Sequence, residues 1–165
     1  MEIRRLNGLD AEMYLKLRLE ALQTNPEAFA SSYEEEKEYS IDIFENRLNS
    51  LYSYTFGAFD NGSLIGSVSL VREQKNKMKH RATIYAMYVT PEKRGKTIAK
   101  KLMMTVLEQV KDIEGVEQIY LSVMATNTPA KTLYNAFGFN TYGMDKKALK
   151  VNGTYYDEEL MVRYV

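Results

Sequence analysis

The run Ala82-Thr-Ile-Tyr-Ala-Met-Tyr-Val89 constrains this chain most, because only Thr83 among its eight residues is neither apolar nor aromatic. Such a run reads as a strand buried on both faces of a sheet. Thr90-Pro91 ends it, since proline cannot donate to a ladder. From Thr97 to Ile113 the residues Ile98, Leu102, Val106, Val110 and Ile113 fall on one stripe, which predicts an amphipathic helix closed by Glu114-Gly115. A second buried strand follows over residues 116–124. Strand, helix and strand in succession predict a parallel, right-handed crossover, the nucleus of an α/β (α+β) fold.

The flanking segments supply hairpins and short helices. Residues 2–6 alternate like a strand, and Asn7, Gly8 and Asp10 offer turn and N-cap chemistry. Leu9, Met13, Leu17 and Ala21 then recur at four-residue spacing, predicting a helix through Gln23 that stops before Asn25-Pro26. Residues 26–40 form a connector without clear period, and 41–51 read as a second short helix. From Ser53 the period becomes two, with a hairpin turning at Asp60-Asn61-Gly62. After the second buried strand, Asn127 or Thr128 caps a short helix with Pro129 in its first turn. Ala130, Leu133, Tyr134 and Phe137 form its stripe, and Gly138 fits the C′ position. Two further strands, 139–144 and 146–151, precede an Asn152-Gly153 hairpin into 154–165. No repeat or linker interrupts the chain, so one domain over residues 1–165 is expected.

Composition narrows the chemistry. The absence of cysteine removes disulfides, thiolate metal sites and a cysteine nucleophile. The one histidine, His80 between Lys79 and Arg81, reads as an exposed strand-start residue. No metal site is expected. The amino terminus has no signal-like apolar run and no stretch reaches the length of a membrane span, so the reading is cytoplasmic with no membrane partner. Lys and Arg total 22 and Asp and Glu total 22, which disfavours nucleic acid as a partner. The charge is unevenly placed, however: residues 1–60 carry 6 basic and 12 acidic side chains, net −6, and residues 61–165 carry 16 and 10, net +6. A local anion site beside a local cation site would account for this layout.

The anion site is legible at the first helical turn after the buried strand. Free N–H groups and the positive dipole end favour an anion there, yet Lys96, Lys100 and Lys101 crowd that turn with no acid before Glu108. A bound pyrophosphate resolves the repulsion. Solvation of an exposed helix face is the plain alternative for these lysines. Neither GxxxxGK[ST] nor GxGxxG occurs, so nucleotide hydrolysis and hydride transfer lose support.

Val89-Thr-Pro, then Arg94-Gly95-Lys96-Thr97-Ile98-Ala99, then the second strand and Asn127 through Tyr134 to Gly138-Phe139 together resemble the GNAT N-acetyltransferase superfamily. Specific motifs lie between Tyr85 and Phe139, and the element order fits along the whole chain. The resemblance implies a mixed, mostly antiparallel sheet flanked by helices, whose parallel central strands splay to admit acetyl-coenzyme A (acetyl-CoA). Coenzyme contacts would fall to Met87, Tyr88 and Val89, to the amides of Arg94, Gly95, Lys96, Thr97, Ile98 and Ala99, and to Asn127, Ala130, Lys131 and Tyr134. The family pattern is Gln/Arg-x-x-Gly-x-Gly/Ala, and here Thr97 stands at the usual glycine. A β-branched residue fits that position with a negative, helical φ, which is the expectation, leaving its hydroxyl within reach of a phosphate oxygen.

The same resemblance implies two catalytic residues, Val89 through its N–H to the thioester carbonyl and Tyr134 through its hydroxyl to the coenzyme sulfur. Tyr134 equally reads as a core residue, and Asn127 as a plain helix cap. Full proton transfer from a tyrosine near 10 to a thiolate near 8.5 is uphill by about 2 kcal/mol, so hydrogen-bond donation is the expected role. For a general base, no acid lies within 82–89. Glu34, Glu35, Glu36, Asp157, Glu158, Glu159 or ordered water remain candidates. By resemblance the acceptor pocket lies against the first helices and the late hairpin, which nominates Tyr33, Glu34, Glu35, Tyr156 and Asp157 as substrate-binding. The expected reaction is direct attack by a primary amine of a small molecule or peptide, cationic given the acidic surroundings, in a ternary complex. A homodimer is compatible with this reading. The alternative is a coenzyme A-binding sensor or scaffold of little turnover, motivated by Thr97 and the missing strand acid.

Overall fold

The computed structural model describes residues 1–165. Seven strands, β1 (Glu2–Arg5), β2 (Ser53–Asp60), β3 (Ser63–Arg72), β4 (Arg81–Val89), β5 (Gln118–Met124), β6 (Asn140–Val151) and β7 (Thr154–Tyr164), form one sheet in the order β1-β2-β3-β4-β5-β7-β6. Every pair is antiparallel except β4 and β5. The two-residue turns behave as their sequences require: Asn61 and Gly62 have φ 50° and 79°, and Asn152 and Gly153 have 47° and 81°. Two consecutive left-handed residues give the type I′ twist that joins neighbouring strands.

The predicted crossover forms as α4 (Ile98–Lys111) between β4 and β5. Its stripe is buried as the spacing requires, with Leu102 and Val106 at 0% exposure against Val68, Leu70, Ile84 and Ile119. Ser67 and Ser69, out of phase with Val68 and Leu70, face the other side of the sheet, where α1 (Ala11–Thr24) and α3 (Ile41–Leu48) pack. No helix is long and apolar enough to cross a membrane.

Three expectations need correction. Leu9 is 94% exposed and Met13 is exposed, because Asn7 caps a separate 3-10 turn at Gly8–Asp10 and α1 starts only at Ala11. The face actually buried is Ala11, Tyr14, Leu17, Ala21 and Leu22, a 3.6-residue stripe from which the four-residue spacing drifts. Residues 139–144 and 146–151 are not two strands. From Asn140 on they belong to the single strand β6, whose register slips against β7 between Asp145 and Leu149 and lets it bend without ending. The connector also holds a one-turn helix, α2 (Tyr33–Glu36), capped by Ser32.

Two irregularities shape the middle of the sheet. β4 and β5 pair only from Arg81↔Gln118 to Thr83↔Tyr120 and then part. On the other side, Tyr85 pairs Ser69 and Tyr88 pairs Ser67, so β4 carries one extra residue, and Ala86 takes φ 54° within that bulge. The strand end from Met87 to Val89 is thereby re-aimed beside an open cleft.

Candidate active site

The cleft has a volume of about 500 Å³, with the end of β4, the start of α4, Met124 and α5 (Thr128–Ala136) as walls. Its polar end is built by the main chain. The amides of residues 95–100 donate to no backbone or side-chain acceptor of the protein, whereas Lys101 N–H already bonds Thr97 O at 3.0 Å. An ordinary helix start leaves four such donors. Left-handed Gly95 (φ 75°) and Thr97 (φ 62°) curl the preceding loop into a nest that adds to them. Thr97 therefore corrects the expected helical φ. Its hydroxyl bonds Lys96 O at 2.6 Å instead of pointing away from the loop.

Arg94 locks this loop to the strand end. Its Nε donates to Val89 O at 2.9 Å, its Nη2 to Asn25 Oδ1 at 2.7 Å, and its guanidinium lies over the Tyr88 ring. Tyr88 is in turn anchored by donating to Glu20 at 2.9 Å. Thr90 N–H bonds Ile65 O, so the Gly66↔Val89 pair is of the non-hydrogen-bonded kind, and the N–H and C=O of Val89 point away from β3. That direction is the cleft, because β5 has already diverged.

The apolar end is closed by α5. Asn127 caps it, Oδ1 accepting from Ala130 N at 3.2 Å, which leaves the amide nitrogen of Asn127 free. Tyr134 is 7% exposed and edge-on to Phe139, yet its hydroxyl has no protein partner and no buried side-chain polar atom is unsatisfied, so the oxygen reaches the cleft. Burial pushes this phenol up to about 12. The donor set fits an elongated ligand with a diphosphate at one end and an apolar arm at the other.

The chain matches the acetyltransferase (GNAT) domain over residues 3–160. It belongs to the GNAT acetyltransferase family. Similar proteins include the mycothiol acetyltransferase of Brachybacterium faecium, 38% identical over 53% of this chain and 26% of that protein. The L-amino acid N-acetyltransferase of Escherichia coli is 28% identical over 62% and 63%. The spermidine N(1)-acetyltransferase of Vibrio cholerae is 31% identical over 60% and 56%. The chain thus spans less than two thirds of the length of these three relatives. A GNAT-family acetyltransferase structure from Streptococcus pneumoniae superposes with TM-score 0.85 at 21% identity over 99% of both chains. A Salmonella typhimurium protein solved with its cofactor acetyl-CoA gives TM-score 0.82 at 16% identity over 99% of this chain and 93% of that one. The GNAT fold, a seven-stranded mostly antiparallel sheet with one parallel pair, is the one the sequence led us to expect.

Of the GNAT-derived site residues, Met87, Tyr88, Val89, Arg94, Gly95, Thr97, Ile98, Ala99, Asn127, Ala130 and Tyr134 line the cleft. Lys96 stays at the loop surface. Lys131 turns aside, bonded to Ala125 O at 2.9 Å and paired with Glu159 at 2.7 Å. Asn25 and Phe29, at the end of α1 and in the connector, are cleft residues that the sequence did not announce, since that stretch has no period to mark them, and Met124 joins them from the end of β5.

The acids separate by environment. Tyr33 and Glu34 line an adjoining cavity with Lys150. Glu35 caps Ser32, whose hydroxyl and amide hold its carboxyl below the usual range. Asp157 accepts from Lys147 N–H at 2.8 Å, and neither it nor Tyr156 reaches the cleft wall or this cavity. Glu159 is held low by Lys131 and Thr141. Glu158 is not a wall residue either, but it stands directly across from the cleft residue Met124 on one side and Asp145 on the other, and burial, then Asp145, pushes its carboxyl up.

Proposed function

We propose that this protein is an acyltransferase that carries an acetyl group from acetyl-CoA to a primary amine, by direct attack in a ternary complex. The observation that supports it most is the run of unpartnered amides at residues 95–100 opening on the same cleft as the Val89 N–H and the Tyr134 hydroxyl. When bound, acetyl-CoA supplies a thioester whose carbonyl carbon accepts the amine lone pair while its C–S bond breaks.

Each demand of that transfer falls to a residue of the chain. The amides of 95–100 hold the diphosphate, and Lys100 lies on the same wall. The Val89 N–H stabilises negative charge growing on the carbonyl oxygen. Tyr134 donates a hydrogen bond to the departing sulfur. With the phenol near 12 and a thiol near 8.5, full proton transfer is uphill by about 5 kcal/mol, so donation without transfer is its contribution.

The acceptor must lose a proton, at roughly 4–5 kcal/mol for a lysine-like amine at pH 7. Glu158 is the base in this reading, its raised carboxyl being better matched to that proton than an ordinary one. The ammonium approaches along the Asp145–Glu158 row, which makes the acceptor cationic at its reacting end. The names of the L-amino acid and spermidine relatives support an amine acceptor. A cytoplasmic location, a homodimer and the absence of a metal requirement complete the proposal. The sensor alternative loses one motive, because left-handed Thr97 keeps the loop amides outward.

The test is calorimetric titration with acetyl-CoA, followed by thiol release against a panel of primary amines. Binding with turnover on at least one amine is expected. Binding with none supports the sensor, and no binding ends both readings.

A further inference from the structure

Behind the β4 bulge lies a third cavity, a chamber of about 400 Å³ between α1, α3 and the sheet face they cover. Ala86 lines this chamber and the next residue, Met87, lines the coenzyme cleft, so the two cavities adjoin across the bulge. Three side chains supply its charge: Arg18, Glu36 and Arg47. Glu36 is 1% exposed and accepts from Arg18 Nε at 2.9 Å and Nη2 at 3.0 Å, while Arg47 Nη1 stands 3.6 Å from the same carboxylate.

Two guanidiniums against one carboxylate leave one positive charge in excess. The rest of the polar wall is hydroxyl, including Ser69 and Thr55, which bond each other at 2.8 Å. Donors are in excess as well. The fork of Arg18 already engages both carboxylate oxygens, its Nη1 has no protein partner, and Arg47 makes no hydrogen bond within the protein. Since a guanidinium stays charged and carries five donors in a planar fork, an unspent one at a cavity wall is a receptor for a planar anion.

We infer that this chamber receives a carboxylate of the acceptor, so that the substrate is an ω-amino carboxylate: its amine reaches the cleft and its acid end lies on Arg47. The inference rests on the acetyltransferase reading above. From Ala86 to Val89 the strand advances three residues, ~10 Å at ~3.3 Å each, which an α-amino acid is too short to span. The excess cation of the chamber and the acidic row at Glu158 complement opposite ends of one zwitterion.

The experiment titrates the full chain calorimetrically with ω-amino carboxylates of two to six methylenes and with the matching ω-amino amides, and measures acetyl transfer to each. At least one carboxylate should bind about tenfold more tightly than its amide, ~1.4 kcal/mol. Arg47→Gln should abolish that preference, the carboxylate losing about tenfold more affinity than its amide, and Arg47→Lys, which keeps the charge without the fork, should restore part of it. Equal affinities within every pair for the parent protein overturn the inference, and so does a preference that persists in Arg47→Gln. A preference lost in Arg47→Gln with no acetyl transfer supports the chamber's anion recognition and removes the acetyltransferase reading instead.

Discussion

The Thr97 hydroxyl donates to the Lys96 carbonyl at 2.6 Å, folding the side chain back along a backbone held at φ 62°. A left-handed L-residue costs roughly 1–2 kcal/mol, and glycine at that position removes the cost while adding about 0.5–1 kcal/mol of unfolded-state entropy. Thr97→Gly should therefore stabilise the protein by up to ~1 kcal/mol, roughly 2–4 °C in melting temperature for a chain of this size. Coenzyme affinity should hold or improve, because the donors are main-chain. A lower melting temperature, or an affinity loss in calorimetry, would mean that the hydroxyl itself shapes the loop.

Tyr134 sits with its ring in the core and its oxygen in the cleft, so Tyr134→Phe should keep coenzyme affinity while lowering kcat by about tenfold to a hundredfold. Its pH signature follows from burial. The phenol is pushed up to about 12 from an unfolded value near 10, so its contribution is intact below about pH 10 and is lost as pH climbs toward 12. Melting curves above pH 10 should fall more steeply for the parent than for Tyr134→Phe. Parallel curves would contradict the buried, neutral phenol.

Legibility in the sequence followed periodicity and turn chemistry. The Ile98-Leu102-Val106 stripe and the Asn152-Gly153 turn were readable because helix spacing and paired positive φ leave strong local marks. The left-handed state of Thr97 leaves no mark in the sequence, because it is imposed by the route from extended Arg94 into α4, which no local propensity announces. The exposure of Leu9 is hidden from the sequence for a related reason: a 3-10 turn precedes α1 and shifts the buried face. The acids were the least legible. Among three consecutive glutamates only Glu36 is buried, a choice set by Arg18 and Arg47 from two other helices.

Glu158 faces Asp145 across β6 and β7, and burial together with that like charge raises its carboxyl. As the proposed base it must be ionised to work, so kcat/KM should rise with pH through a limb above the ordinary carboxylate range. Asp145→Asn should move that limb to lower pH, since a repelling charge is gone. Glu158→Gln should abolish it along with most of the rate. A profile unchanged in both variants would hand the proton to water.

Glu36 is a stability residue as well as a chamber wall. Burial alone would raise its carboxyl, but the hydrogen bonds from Arg18 and the charges of Arg18 and Arg47 overcome that and hold it below the ordinary value. Glu36→Gln leaves two guanidiniums facing each other without a counter-charge, and breaking a buried pair from one side costs about 3–5 kcal/mol. A folded value below the unfolded one means the contribution is present above the unfolded value near 4.3 and fades as pH falls through the folded one. Urea denaturation should accordingly show the full deficit of Glu36→Gln near pH 7 and a much smaller one near pH 3. An equal deficit at both would mean that lost packing, not lost charge, destabilises the variant.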